Sequence, residues 1–372
     1  MPRLDLIKKT RVIRSPRVIQ LEGMFDLPTE KTSRQQWAVD MPIEDDDWNV
    51  GLIVGPSGCG KTSIARECFK NEMVSDFNWF QQKSIIDSFP EEMGIKEITA
   101  LLSSVGFSSP PNWLRPFHVL SNGEQFRVSI ARALAELPGI VVIDEFTSVV
   151  DRTVARIGSF AVARTVRKRE QKFVAISCHF DIIEWLDPDW IYFPATNQFQ
   201  WRSERQSRPP VTLEIINVHR KAWELFRKHH YLDSTIQKSA NCFVALMDGQ
   251  PAAFTAVIHF PHRQSPSFRE HRTVCLPDFQ GIGIGNALSE YIASLYACRK
   301  KYTSVTGHPA MIQYRAKSKN WKMIRKPSVV SRQKGLEKNG KRSVASSHER
   351  ITAGFLYCGP RREREAREFG LI

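Results

Sequence analysis

Apolar positions along this chain fall into short unbroken runs separated by helix-spaced stretches. Val50–Val54, Ile140–Ile143 and Phe173–Ser177 are such runs, and consecutive apolar residues over that length predict parallel strands covered on both faces. Ser63–Glu67 and Val128–Leu134 read as helical segments between them. A second alternation begins beyond residue 210. It comprises a strand at Val211–Ile216, a helix at Val218–Lys228, a strand at Cys242–Leu246, a turn at Asp248-Gly249 and a return strand at Ala252–Phe260. A strand at Thr273–Leu276, a helix at Ala287–Ala297 and a strand from Thr303 complete it. Between the two patterns, Trp201–Pro210 is polar, charged and ends in two prolines, which suits a linker. The expected organisation is therefore residues 1–201, a linker at 202–210, and residues 211–372.

Composition agrees with two globular domains: the chain has 372 residues, 42% hydrophobic and 25% charged. No apolar run reaches transmembrane length and the start lacks a signal-peptide core, so a cytoplasmic protein without a membrane partner is expected. The seven cysteines contain no C-x-x-C pair and read as reduced, mostly buried thiols. Charge is uneven. Residues 202–372 hold 30 Lys and Arg against 13 Asp and Glu, a net of +17, which leaves −3 for the rest. Within residues 299–342 the cations number 14 and the only acid is Glu337. Such a half suits a polyanionic partner, although basic surfaces also serve solubility and coenzyme phosphates.

Gly55-Pro56-Ser57-Gly58-Cys59-Gly60-Lys61-Thr62 fits G-x-x-x-x-G-K-[ST] between a predicted strand and a predicted helix that opens at Ser63. Glycines let backbone N–H groups wrap phosphates, and the helix N-terminus adds partial positive charge. Lys61 would reach the β- and γ-phosphates of ATP, and Thr62 would ligate Mg²⁺. The strand Ile140–Ile143 ends in Asp144 and Glu145, suited to holding that Mg²⁺ and to polarising a water, respectively. Leu120-Ser121-Asn122-Gly123-Glu124-Gln125-Phe126-Arg127 precedes a helix and offers hydroxyl and N–H donors to a phosphate. His179 follows the strand Phe173–Ser177 directly. Together these segments resemble the ABC ATPases over about residues 17–200. Asn122 replaces the first glycine of the signature, Phe146 replaces the usual proline after the acidic pair, Asp151 falls at the D-loop and His179 matches the switch histidine. The resemblance implies a P-loop α/β cassette with a short helical subdomain, and a head-to-tail homodimer in which Ser121, Gly123 and Asp151 of one copy meet ATP held by the other. Catalytic roles fall to Glu145 and His179.

Leu276–Leu288 carries a glycine-rich turn after a strand and before a helix, containing Q-x-x-G-x-G at Gln280, Gly283 and Gly285. Amides at such a turn face a pyrophosphate well. The turn and the upstream order of elements resemble the GNAT acyltransferases over residues 211–372, implying an α+β fold. The resemblance gives Gln280, Gly281, Ile282, Gly283, Ile284 and Gly285 as the turn that holds acetyl-CoA or another acyl-CoA. It gives the backbone near Cys275 and Leu276 as an oxyanion donor. His308 is a candidate base, and Tyr314, Tyr231 and Tyr357 are candidate acids. His229-His230-Tyr231-Leu232, Gly307-His308-Pro309 and the stretch from Arg315 to Trp321 are also similar to phage Mom-like DNA-modification acyltransferases. Lys317, Lys319, Lys322, Arg325 and Lys326 would contact phosphates while Trp321 stacks on a base. The expected partner is nucleic acid, DNA over RNA. An RNA base as acceptor, or a binding protein with an inactive acyltransferase fold, are the other readings.

Overall fold

The computed structural model describes residues 3–11, 13–25, 32–70, 72–74, 77–204, 212–230, 235–261, 265–329 and 351–372. In chain order, β1 (Arg3–Arg11), α1 (Pro16–Phe25), β2 (Thr32–Asp40), β3 (Val50–Val54) and α2 (Lys61–Cys68) come first. Next are α3 (Ile95–Ser104), α4 (Pro110–Trp113), α5 (Asn122–Glu136), β4 (Ile140–Ile143), α6 (Arg152–Arg169), β5 (Lys172–Ser177), α7 (Ile182–Leu186), β6 (Trp190–Phe193) and β7 (Gln198–Trp201). The remainder holds β8 (Glu214–Val218), α8 (Trp223–Phe226), β9 (Asn241–Met247), β10 (Gln250–Phe260), β11 (Ser267–Cys275) and α9 (Ile284–Tyr296). It ends with β12 (Tyr302–Thr306), α10 (Pro309–Lys317), β13 (Trp321–Val329), β14 (Ile351–Tyr357) and α11 (Glu363–Glu368).

The chain gathers into two compact units. Residues 1–76, 137–149 and 166–208 form the first, and residues 77–136, 150–165 and 209–372 the second. The last break between the units, at residues 208 and 209, falls within the expected linker at 202–210, while segments 77–136 and 150–165 are grouped with the C-terminal residues.

In the first unit five strands run in the order β4-β5-β3-β6-β7, parallel from β4 to β6, with β7 antiparallel at the edge. Every residue of the central strand β3 is buried, as a run apolar on both faces requires. Its start is pinned by Asp189, whose carboxylate accepts the N–H groups of Asn49 (2.9 Å) and Val50 (2.8 Å). Gly51 lets the Trp190 indole lie flat on β3; a Cβ there would stand 2.1 Å from the ring. Ile53, Ile64, Val142, Val174 and Ile176 close the core, with Val39 from the antiparallel β1–β2 pair.

In the second unit the sheet order is β13-β14-β12-β11-β10-β9-β8. All neighbours are antiparallel except β11 and β12, which run parallel and pair only at Phe268–Tyr302 and Arg269–Thr303. Beyond those two pairs the strands are no longer hydrogen-bonded partners. The register of β10 against β11 slips between Ala256 and Val257, a bulge of the kind that bends a strand. Helix α9 covers this sheet through Leu288, Ile292, Leu295 and Tyr296, the spacing of one helical face.

Several expectations need correction. The helix at Val218–Lys228 is instead three short pieces, a 3₁₀ turn at Arg220–Ala222, α8, and a 3₁₀ turn at Arg227–His229. Trp223 and Phe226, the two ends of α8, are its buried residues. The cysteines are free, but only Cys242 is fully buried, while Cys178 and Cys358 are exposed. Among the described residues no helix is long and apolar enough to cross a membrane.

Candidate functional site

In the first unit the sheet register brings the predicted nucleotide residues to one edge. Val54 pairs with Ser177, and Ile143 with Ala175. The residues that follow those ends, Gly55, Asp144 and His179, therefore leave the sheet together at the carboxyl ends of parallel strands, where α/β folds bind ligands. Gly55 N donates to Ser177 O (3.3 Å) and Phe146 N to Ile176 O (2.8 Å), which fixes both exits. Pro56, Ser57 and Cys59 complete the loop, and Gly58 and Gly60 take positive φ values of 81° and 96°. Gly60 caps α2, so Lys61, Thr62 and Ser63 begin the helix and their N–H groups lack partners within it. The loop also needs glycine at position 60 for contact, since a Cβ would meet the Trp37 indole at 2.5 Å.

Lys61 Nζ donates to the carbonyls of Gly55 and Pro56 (both 2.8 Å), lying back over the loop. Ser63 Oγ accepts from Lys8 Nζ (2.7 Å). At the end of β4, Asp144 accepts the N–H of Glu145 (2.9 Å). Glu145 and Thr147 hold φ values of 51° and 68°, a backbone state that non-glycine residues rarely adopt and that gathers at functional sites. His179 is half-buried, its N–H donating to Ser177 Oγ (3.2 Å). A cavity of about 240 Å³ beside the loop is lined by Val54, Gly55, Pro56, Phe180, Phe193 and Gln198. Glycine amides, a lysine, a threonine and two carboxylates form a donor set that fits ATP with Mg²⁺: Lys61 and the loop amides for phosphates, Thr62 and Asp144 for the metal.

The second unit holds the other predicted contacts. Ser121 caps α5 in a reciprocal box: its N–H (3.0 Å) and Oγ (3.1 Å) donate to Glu124, and Glu124 N donates back to Ser121 Oγ (3.4 Å). Gly123 lies against Val154. Asp151 caps α6, accepting the N–H groups of Thr153 (2.9 Å) and Val154 (3.0 Å).

The glycine turn also opens a helix. Gly281 and Gly283 have φ of 97° and 92°, and Gly283 caps α9 as Gly60 caps α2. Ile282 lies between them half-exposed, Ile284 is buried, and Gly285 approaches the Cys275 Cβ. The Arg164 guanidinium stands 3.5 Å from where a Cβ of Gly283 would be. The Gly285 N–H is turned to the Cys275 sulfur, which leaves the amides of Gly283 and Ile284, with Arg164, as a donor set of the right kind for a pyrophosphate.

Other predicted groups are engaged elsewhere. Leu276 N donates to Ala252 O (2.9 Å), so it is committed to the sheet and is not a free oxyanion donor. Burial pushes the Cys275 thiol up to about 12. His308 Nε2 meets Ser108 O at 2.9 Å, so that nitrogen carries the proton of a neutral ring; burial holds its pKa below the ordinary histidine value. The ring named as a candidate base is therefore a packed donor to a backbone carbonyl. Tyr314 donates to Glu290 (3.1 Å), and burial together with that carboxylate raises its pKa. Tyr357 is buried and donates to Pro360 O (2.9 Å), which removes it as an acid; Tyr231 lies outside the described residues.

The basic stretch splits in two. Lys317, Lys319, Lys322 and Lys326 are exposed. Trp321 is 6% exposed, covered by the Arg315 guanidinium at 4.5 Å and donating to Glu290 (3.1 Å), so it cannot stack on a base. Residues 330–342 of that region lie outside the described residues. Sequence reasoning missed Trp37 and Arg164, because neither lies in a motif and only the fold brings each to a glycine.

The sheet order, the glycine loop closing β3 into α2, and the acidic pair on the neighbouring edge are those of a P-loop nucleotide-binding fold. No protein-family model matches the chain. Over 88 residues it is 40% identical to the methionine import ATP-binding protein MetN of Cutibacterium acnes, a stretch covering 21% of this chain and 24% of that protein. This similarity supports an ABC-type ATP-binding cassette. A bacterial Atm1-family ABC exporter solved with ATP bound is similar at a TM-score of 0.33 and 21% identity, covering 44% of this chain and 33% of the exporter, too slight a likeness to add to the argument.

Proposed function

We propose that this chain is an ATP-hydrolysing ABC-type cassette that drives acyl-CoA-dependent N-acylation of a nucleobase, in DNA before RNA. The observation that carries the first part is the convergence of Gly55–Thr62, Asp144, Glu145 and His179 on one sheet edge. Lys61 exchanges the carbonyls of Gly55 and Pro56 for phosphate oxygens, and Thr62 and Asp144 hold Mg²⁺, which neutralises developing charge when bound. Glu145 orients the attacking water and His179 reaches the same edge. Ser121, Gly123 and Asp151 of a second copy complete the site, so the active form is a head-to-tail homodimer. A supply of ATP and acetyl-CoA or another acyl-CoA implies the cytoplasm.

The second part is supported by the α+β order of the second unit, the parallel β11–β12 pair that ends after two residue pairs, and the positive-φ glycines opening α9. The amides of Gly283 and Ile284 and the Arg164 guanidinium hold the coenzyme pyrophosphate. A base amine attacks the thioester carbonyl; the C–N bond forms, the C–S bond breaks, the amine proton passes to solvent, and the thiolate takes the Tyr314 proton in place of Glu290, which solvent then restores to the tyrosine. Exposed Lys317, Lys319, Lys322 and Lys326 contact phosphates. A target inside a duplex has to be flipped out.

For Glu145→Gln, phosphate release is expected to fall roughly 100-fold or more, while sedimentation with ATP shows dimers. A monomer at saturating ATP contradicts the head-to-tail arrangement. Nucleoside mass spectrometry after incubation with acetyl-CoA, ATP and DNA or RNA should reveal an acyl adduct. Absence of an adduct on either polymer, with hydrolysis intact, replaces acyl transfer by a binding role.

A further inference from the structure

We infer that signature helix α5 and the Asp278–Gly281 turn form one mechanical lock, through which nucleotide engagement at Ser121 is read at the glycine turn that opens α9. The inference rests on the proposed role of Ser121 but not on acyl transfer. The path is short and lies wholly inside the second unit. Glu124, which closes the capping box on Ser121, also accepts from Asn112 Nδ2 (2.6 Å). Three residues further along the same helix, Arg127 is 1% exposed and donates from Nη2 to the Asp278 carbonyl (3.2 Å). Its Nε finds no acceptor and lies 3.2 Å from where a Cβ of Gly106 would stand. A buried guanidinium with so little direct pairing is costly unless its position is fixed by what surrounds it. Here Asp278, Glu124 and Asp151 supply compensating charge.

The turn itself is gripped from the other side by the segment after α3. Gly106 and Gly281 both have positive φ, 94° and 97°, and lie so close that neither has room for a Cβ. A Cβ on Gly281 would stand 2.7 Å from Gly106 Cα and 2.8 Å from Ala161 Cβ. A Cβ on Gly106 would stand 2.7 Å from Gln280 O. Gln280 spans the seam, its Oε1 accepting Ser108 N (2.8 Å) and its Nε2 donating to Cys275 O (3.0 Å). On the far side, the Ser108 carbonyl meets His308 (2.9 Å). Two glycines in direct contact leave no side chain to adjust, so movement of either segment must carry the other. The amides of Gly283–Gly285, one helical cap beyond Gly281, then move with α5. Static packing alone would give the same contacts, and what separates the two is dependence on nucleotide state.

Amide hydrogen exchange of the full chain, with and without a saturating non-hydrolysable ATP analogue and Mg²⁺, tests this. Exchange at the Gly281–Ile284 amides is expected to change about tenfold, within the range of measured couplings, and the change should be lost in Arg127→Met. Gln280→Glu, which keeps the acceptor and loses the donor, should weaken it. Identical exchange in the two states of the wild-type chain overturns the lock, and so does a full response in both variants. Acyl-CoA calorimetry separates the two proposals. If the coenzyme does not bind but the exchange response persists, acyl transfer fails and the lock stands. If the coenzyme binds with equal affinity in both states and exchange is unchanged, the lock fails and acyl transfer stands.

Discussion

Glu270 of β11 and Arg315 of α10 face each other at 2.9 Å with side chains 6% and 1% exposed. Glu270 follows directly on the last paired residue of β11, and Ser304 on that of β12. Arg315 reaches both, and Ser289 Oγ as well (2.7 Å), filling the opening between the strands. Burial works against the Glu270 charge, but Arg315 and the hydroxyls of Ser304, Thr273 and Ser289 outweigh it and hold the carboxyl below its ordinary value. A carboxyl depressed in the folded state adds stability that is complete above the unfolded value of about 4.3 and is lost as pH falls toward the folded one. Urea titrations should therefore show a stability loss below about pH 4.3 that is smaller in Glu270→Gln. That variant should cost about 3–5 kcal/mol at neutral pH, because it leaves Arg315 buried and unbalanced. An unchanged urea midpoint contradicts this. None of this network was legible in the sequence. Arg315 stood in a run of cations, and only the fold assigns it to the core while its lysine neighbours stay in water.

Strands β3, β4 and β5 of the first sheet were legible because apolar runs on both faces have few other solutions, and they lie within one residue of their expected spans, whereas β6 and β7 were not anticipated. The glycine turns were legible too: each follows a strand and opens a helix, and both helices begin at a positive-φ glycine. What the sequence hid was the packing around those turns. Gly281 reads as a phosphate-loop glycine, yet it is also required by contact with Gly106 and Ala161. Gly281→Val combines a β-branched side chain at φ 97° with a collision against backbone. It should destabilise the second unit by about 1–3 kcal/mol, measured as a lower thermal midpoint. An unchanged midpoint would mean that the two segments are not in contact in solution. The helix expected at 218–228 failed for a related reason: its apolar residues satisfy helical spacing, but the core takes only Trp223 and Phe226.

At the scale of the molecule, the motif order along the chain and its compact units differ. Segments carrying Ser121 and Asp151 belong to the unit of the C-terminal sheet, while the glycine loop and acidic pair belong to the other unit. Chain order placed a linker at 202–210, where the last break falls, but it left segments 77–136 and 150–165 with the first half, since contacts between distant segments leave no mark on local pattern. The basic excess of the C-terminal half survives as exposed Lys317, Lys319, Lys322 and Lys326, although its aromatic does not. Everything proposed for the whole chain depends on the loop Gly55–Thr62 holding ATP. Titration calorimetry of the full chain with ATP and Mg²⁺ tests this most directly. The account predicts saturable binding, with affinity lost in Lys61→Ala; no heat of binding in the wild-type chain, or equal affinity in the variant, would contradict it.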